Sequence, residues 1–117
     1  MPPRGGDASH ALEMARALKG LVHAVNVTDG SRAVMRMSSL AVARLLLDEG
    51  IEPVLQMACR DRNRIAIQAD LLGAHALGIR NLLCLTGDPV RAGDQPKARI
   101  VNELESVRLL QQVTAFN

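Results

Sequence analysis

The stretch Leu77-Gly78-Ile79-Arg80-Asn81-Leu82-Leu83-Cys84-Leu85-Thr86-Gly87-Asp88-Pro89 decides the fold. It reads as a helix end, a glycine stop, a short strand and a polar turn. A glycine just past a helix is a common left-handed terminator, because it enters the positive-φ region with no Cβ penalty. The apolar run Leu82-Leu83-Cys84-Leu85 shows no polar alternation, the pattern of a parallel strand covered on two sides by helices or set inside a barrel. The same grammar occurs twice upstream, at Lys19-Gly20-Leu21 and Glu49-Gly50-Ile51, and the three glycines are 30 and 28 residues apart. That is the length of one βα unit, so the chain is a βα array of the α/β class. The repeat itself is compatible with an open sheet or a closed one.

Strands are predicted over 22–28, 53–58 and 81–86. Before Gly20, Leu12, Met14, Ala15 and Leu18 share one broad face, and 39–49 is an Ala- and Leu-rich helix. In the third helix Ile65, Ala69, Leu72 and Ala76 recur at i, i+4, i+7 and i+11 and are expected to face the core, with Arg64, Gln68 and His75 turned elsewhere. A fourth helix is predicted to open at Asn102-Glu103-Leu104-Glu105. There Asn102 caps, Glu105 reaches back, and Leu104, Val107 and Leu110 form the apolar stripe.

Composition bounds the rest. The 117 residues suit one domain, 48% apolar and 22% charged, with a formal charge of +2 from 14 basic and 12 acidic side chains. So balanced a charge gives no support for nucleic-acid binding, and Phe116 is the sole aromatic, which removes base-stacking platforms. No apolar run approaches the ~20 residues of a membrane span. The N-terminus has no signal-peptide core, and with only Cys59 and Cys84 present a cytoplasmic protein with free thiols is expected. His10, His23 and His75 are dispersed without metal-motif spacing, so no metal is expected.

The strand exits carry the chemistry. They read Thr28-Asp29-Gly30, Cys59-Arg60-Asp61 and Thr86-Gly87-Asp88, placing an aspartate at one recurring address. Ligands of α/β folds bind at the carboxyl ends of the strands, so the three form a candidate rim. Asp29 and Asp61 serve equally well as turn and helix caps. The cluster Arg60-Asp61-Arg62-Asn63-Arg64 reads either as a ligand-directed set or as a solvated helix start, while Arg32 and Arg36 read as surface charges. Cys59 reads as a small buried thiol rather than a nucleophile. The loop Arg91-Ala92-Gly93-Asp94-Gln95-Pro96-Lys97-Ala98-Arg99 exceeds a plain βα connection, and its basic groups suit phosphates or solvent alike.

Five runs in order resemble one family. Ala24-Val25-Asn26-Val27-Thr28-Asp29-Gly30, Met35-Arg36-Met37-Ser38-Ser39-Leu40, Glu52-Pro53-Val54-Leu55-Gln56-Met57, Cys59-Arg60-Asp61-Arg62-Asn63-Arg64 and Leu85-Thr86-Gly87-Asp88 are similar to the methylenetetrahydrofolate reductase family, nearest its bacterial branch that also occurs fused to homocysteine methyltransferase domains. The resemblance implies a flavin-dependent (β/α)8 barrel that passes a hydride from NADH or NADPH through FAD to methylenetetrahydrofolate. It implies Asp88 as the catalytic aspartate near the flavin pyrimidine and folate. Thr28, Gln56, Thr86, Gly87, Lys97 and Ala98, together with Asp88, match cofactor-lining positions, although Gln56 stands where better-known members carry histidine.

The family's first strand carries a catalytic glutamate ahead of a Pro-Pro-Arg/Lys-Gly turn. Here Pro2-Pro3-Arg4-Gly5 follows Met1 directly. A full barrel needs about 250 residues. The expectation is therefore a single partial barrel domain over 1–117, about half of the (β/α)8 fold, lacking the first strand and strands five to eight. Such a half exposes sheet edges and an inner face, so self-association or a complementing barrel half is expected. Two other readings remain: a non-catalytic half-barrel that binds flavin or folate only with a partner chain, and a generic α/β domain whose aspartates are caps.

Overall fold

The computed structural model describes residues 1–116. In chain order it has α1 (Ser9–Leu18), β1 (Val25–Val27), α2 (Ser39–Asp48), β2 (Pro53–Ala58), α3 (Arg64–Ala76), β3 (Asn81–Leu85) and α4 (Ser106–Ala115), with 3-10 turns at Ser31–Ala33 and Val90–Ala92. The three strands form one parallel sheet in the order β1-β2-β3. Val27 pairs with Leu55, and Leu55 with Leu82. This α/β arrangement of three parallel strands and four helices is consistent with part of a barrel.

The stops work as their residue type dictates. Gly20, Gly50 and Gly78 all take positive φ, at 84°, 73° and 85°. After the last two, Ile51 and Ile79 are buried at once, so each terminator turns the chain straight into the core.

One face of the sheet carries the core. Val27, Leu55 and Met57 pack with Val42, Ala43 and Leu46 of α2, Ile67 and Ala74 of α3, and Leu109 of α4. The alternate residues Asn26, Val54, Gln56 and Leu83 lie on the opposite face, where Asn26 and Leu83 are exposed. The lack of alternation in the strands thus does not mean two helical layers, since the helices cover one side only. Full burial of Leu55 and Met57 contributes roughly 1.5–3 kcal/mol each.

Three elements differ from their sequence expectation. β1 is shorter than 22–28, because Val25 pairs with Pro53, the first residue of β2, and residues 22–24 have no neighbouring strand beyond it; Val22 makes only an isolated bridge with Lys19. In α3 the inward stripe is Ile67, Leu71 and Ala74, while Ile65 is 78% and Leu72 62% exposed and Ala69 and Ala76 also face outward. Two apolar stripes coexist on this helix. Its phase is set where it enters, by the Asn63 side chain accepting from the Ala66 amide and by Arg62 reaching Asp70. In α4 the cap is Glu105, whose carboxylate accepts from the Val107 and Arg108 amides, while Asn102 lies outside the helix at φ 41°. That later start turns Leu109 and Val113 inward and leaves Val107 and Leu110 exposed, with Leu104 buried just before the helix.

Candidate functional site

The rim is built by the residues that follow each strand, and one buried side chain joins all three exits. Arg60, 5% exposed, directs Nε and Nη2 to the two Asp61 carboxylate oxygens at 2.8 and 2.7 Å. Its Nη1 donates to the Gly30 carbonyl at 3.3 Å and to the Asp88 carbonyl at 3.2 Å. A buried guanidinium is tolerated only when its donors are paired in this way. The hydrogen bond from Arg60 holds the Asp61 carboxyl below its ordinary range, against an opposing push from burial.

Asp29 and Arg62 form a second tie. Asp29 Oδ2 accepts from the Ala58 amide at 2.8 Å and from Arg62 Nη1 at 2.6 Å, and Arg62 also donates to the Ala58 carbonyl and to Asp70. Burial depresses the Arg62 guanidinium, but its bonds to Asp29 and Asp70 outweigh that and leave it raised. Of the two readings of the charged cluster, a solvated helix start fits Arg64, which is exposed, but not Arg60 or Arg62. Asp29 braces β1 against β2, and Asp61 is occupied by Arg60.

Asp88 stands at the third exit with its side chain exposed. One carboxylate oxygen accepts from the Arg32 amide at 2.7 Å. Arg32 belongs to a left-handed turn in which Gly30, Arg32 and Ala33 have φ of 55°, 59° and 55°. Non-glycine residues adopt this region at a cost of about 1–2 kcal/mol each, so the turn persists because its surroundings hold it. Asp94 helps by accepting from the Met35 amide at 2.9 Å and from Arg4 at 2.9 Å. Gly93 sits so close to Ala33 that a Cβ would overlap the Ala33 carbonyl.

The remaining predicted residues divide by location. The Thr28 hydroxyl, at the end of β1, is buried with no hydrogen-bond partner among the described residues. Gln56 is half-buried on the open face of the sheet, and Thr86 Oγ1 accepts from the Ser106 amide at 3.2 Å. Gly87 has φ 102°, and a Cβ there would lie 2.9 Å from Arg60 Cβ. Lys97 and Ala98 are exposed in the loop after β3, and Ala98 lines a cavity of about 340 Å³ with Asp29, Arg36, Arg60, Asp61 and Arg62, a lining that does not include Lys97.

Sequence alone marks Arg60 only as a member of a charged cluster and Asp94 only as part of a polar loop. The density of charge around Arg60 is its only local signal, and burial of one guanidinium on a carboxylate and two distant carbonyls has none. Cys59 is buried and Cys84 half-buried, and burial raises both thiols. Among the described residues no group of three or more metal-ligating side chains comes together, and no helix is long and apolar enough to cross a membrane.

Residues 1–116 match the family model described as methylenetetrahydrofolate reductase. A comparison with curated proteins finds no match. The match runs through all three strands, their exits and all four helices, and by it the chain belongs to the methylenetetrahydrofolate reductase family, a family of oxidoreductases.

Proposed function

We propose that this chain is a flavoprotein part of a methylenetetrahydrofolate reductase, in which a hydride passes from NADH or NADPH by way of FAD to 5,10-methylenetetrahydrofolate and gives 5-methyltetrahydrofolate. The observation that carries the reading is the rim. Thr28 stands at the carboxyl end of β1 and Thr86, Gly87 and Asp88 at that of β3, on either side of β2 in one parallel sheet, where α/β folds bind ligands, and the buried Thr28 hydroxyl has no partner among the described residues. An unpaired buried hydroxyl costs about 1–3 kcal/mol, a cost that a polar ligand atom would relieve.

FAD would supply the two-electron relay between nicotinamide and folate. The chain's own contribution is to bind and orient. Thr28 and Gln56 would hold the flavin from the open face of the sheet, Thr86 and Gly87 would flank it, and Lys97 and Ala98 would border its phosphate and adenosine portion. Asp88 has one carboxylate oxygen engaged by Arg32 and would present the other to a polar ring edge, tuning the flavin and orienting the pterin.

The reading extends to architecture: one partial barrel domain over 1–117, whose three strands correspond to the second to fourth of the barrel, in a cytoplasmic setting. A second reading is favoured by the exposed Asn26 and Leu83 on the open face. In it the chain is a non-catalytic half-barrel that self-associates or meets a complementing half before it binds flavin or folate.

Titration of the purified chain with FAD, followed by flavin fluorescence and the visible band, tests the proposal. Saturable binding at micromolar affinity, with a band altered in Asp88→Asn, is the expected result. A folded chain that does not bind FAD overturns the flavin site on this chain and leaves the partner-dependent half-barrel.

A further inference from the structure

We propose that Arg60 is a positioning residue: it locks the three strand exits into one frame and so sets where the Asp88 carboxylate stands on the rim. This rests on the reading of Asp88 given above. Three contacts close a ring. Arg60 Nη1 holds the Gly30 carbonyl, the turn that begins at Gly30 offers the Arg32 amide to Asp88 Oδ2, and the Asp88 carbonyl returns to Arg60 Nη1.

The burial pattern separates this role from simple capping of α3. A helix-start ion pair would leave the guanidinium in solvent. Here the Arg60 side chain is 6% exposed and that of Asp61 52%, so the cation is the inner partner and the carboxylate the outer one. Asp61 occupies one edge of the guanidinium and leaves Nη1 for the two loop carbonyls, a division that the planar fork of arginine allows and the single ammonium of lysine does not. Gly87 completes the seat, because the Asp88 backbone is led in against Arg60 Cβ with no side chain between them.

The left-handed Arg32 and Ala33 give the frame its purpose. Backbone in this region relaxes when its restraints are removed, and two of those restraints are the Arg60 bond to Gly30 and the Asp88 bond to Arg32. Loss of the guanidinium frees the turn, and the carboxylate loses its fixed donor.

The test is amide hydrogen exchange on the full chain carrying Arg60→Lys or Arg60→Met. Exchange at the Arg32 amide rises at least about tenfold, while the amides of Leu55 and Met57 in the core change by less than about twofold. In the FAD-loaded chain the flavin band of either variant moves toward that of Asp88→Asn, a signature that a purely stabilising role would not produce. Unchanged Arg32 protection in both variants overturns the proposal. If neither variant folds, Asp61→Asn weakens the fork while keeping the guanidinium. It then accelerates Arg32 exchange to a smaller extent, and no acceleration refutes the frame. Failure of the parent chain to bind FAD strikes the flavin reading alone, since the Arg32 exchange is measured without cofactor.

Discussion

Replacing Gly87 by alanine tests whether the rim is built as described. Gly87 has φ 102°, and the new Cβ would lie 2.9 Å from Arg60 Cβ and 3.3 Å from Ala58 Cβ. Both neighbours are β-carbons of buried residues, fixed by the backbone rather than carried on flexible side-chain tips. The chain cannot swing aside either, because the Thr86 carbonyl accepts from the Arg60 amide at 3.0 Å and the Asp88 carbonyl from Arg60 Nη1 at 3.2 Å. The unfavourable backbone conformation costs about 1–3 kcal/mol. Overpacking adds about 1–3 kcal/mol. The combined loss of about 2–6 kcal/mol is then a large part of the roughly 5–15 kcal/mol available to a small domain. Urea unfolding followed by far-ultraviolet circular dichroism is the suitable assay, because the chain has no tryptophan or tyrosine. Gly5→Ala, at a site with no atom within 4 Å and no positive φ, serves as the control and stays within about 0.5 kcal/mol of the parent. A Gly87→Ala chain as stable as the control would refute the close seating of Asp88 on Arg60.

The orientation of α3 is checked by a pair of substitutions. Ile67→Ala, at a residue 0% exposed, loses about 2–5 kcal/mol in the same assay. Ile65→Ala, at 78% exposure, stays within about 0.5 kcal/mol, and the reverse order would restore the stripe read from periodicity. Asp61 supplies a pH test. Its carboxyl is lowered in the folded chain by the hydrogen bond from Arg60, so the stability it contributes is present above the unfolded value of about 3.9 and is lost as pH falls through the folded value. Urea midpoints measured as the solution is acidified fall less steeply in Asp61→Asn than in the parent. Identical slopes would remove the Arg60–Asp61 fork from the acid response.

The βα order, the three helix stops, the strand over 53–58 and the strand expected over 81–86, found over 81–85, were legible because they are local. A positive-φ glycine, an apolar run and a polar exit each depend on residues adjacent in the chain. The address of the rim was legible for the same reason, since a parallel array places successive strand exits at one end of the sheet. The inward faces of α3 and α4 were not. Each helix carries two apolar stripes, and the choice between them depends on entry geometry at Asn63 and Glu105, which periodicity does not see.

By itself, the sequence determined the class of fold and the family, and it pointed to the strand exits as the candidate rim, because these follow from short-range pattern and from motifs kept in order. Only the tertiary structure decided which of the clustered charges matter and how. It buried Arg60 and left its partner Asp61 in solvent, turned Asp29 into a brace between strands, and tied Asp88 to a left-handed turn 56 residues away. The physical reason is that burial and pairing belong to the whole fold. A guanidinium becomes structural only when distant carbonyls and a carboxylate converge on it, and no stretch of sequence around Arg60 contains Gly30 or Asp88.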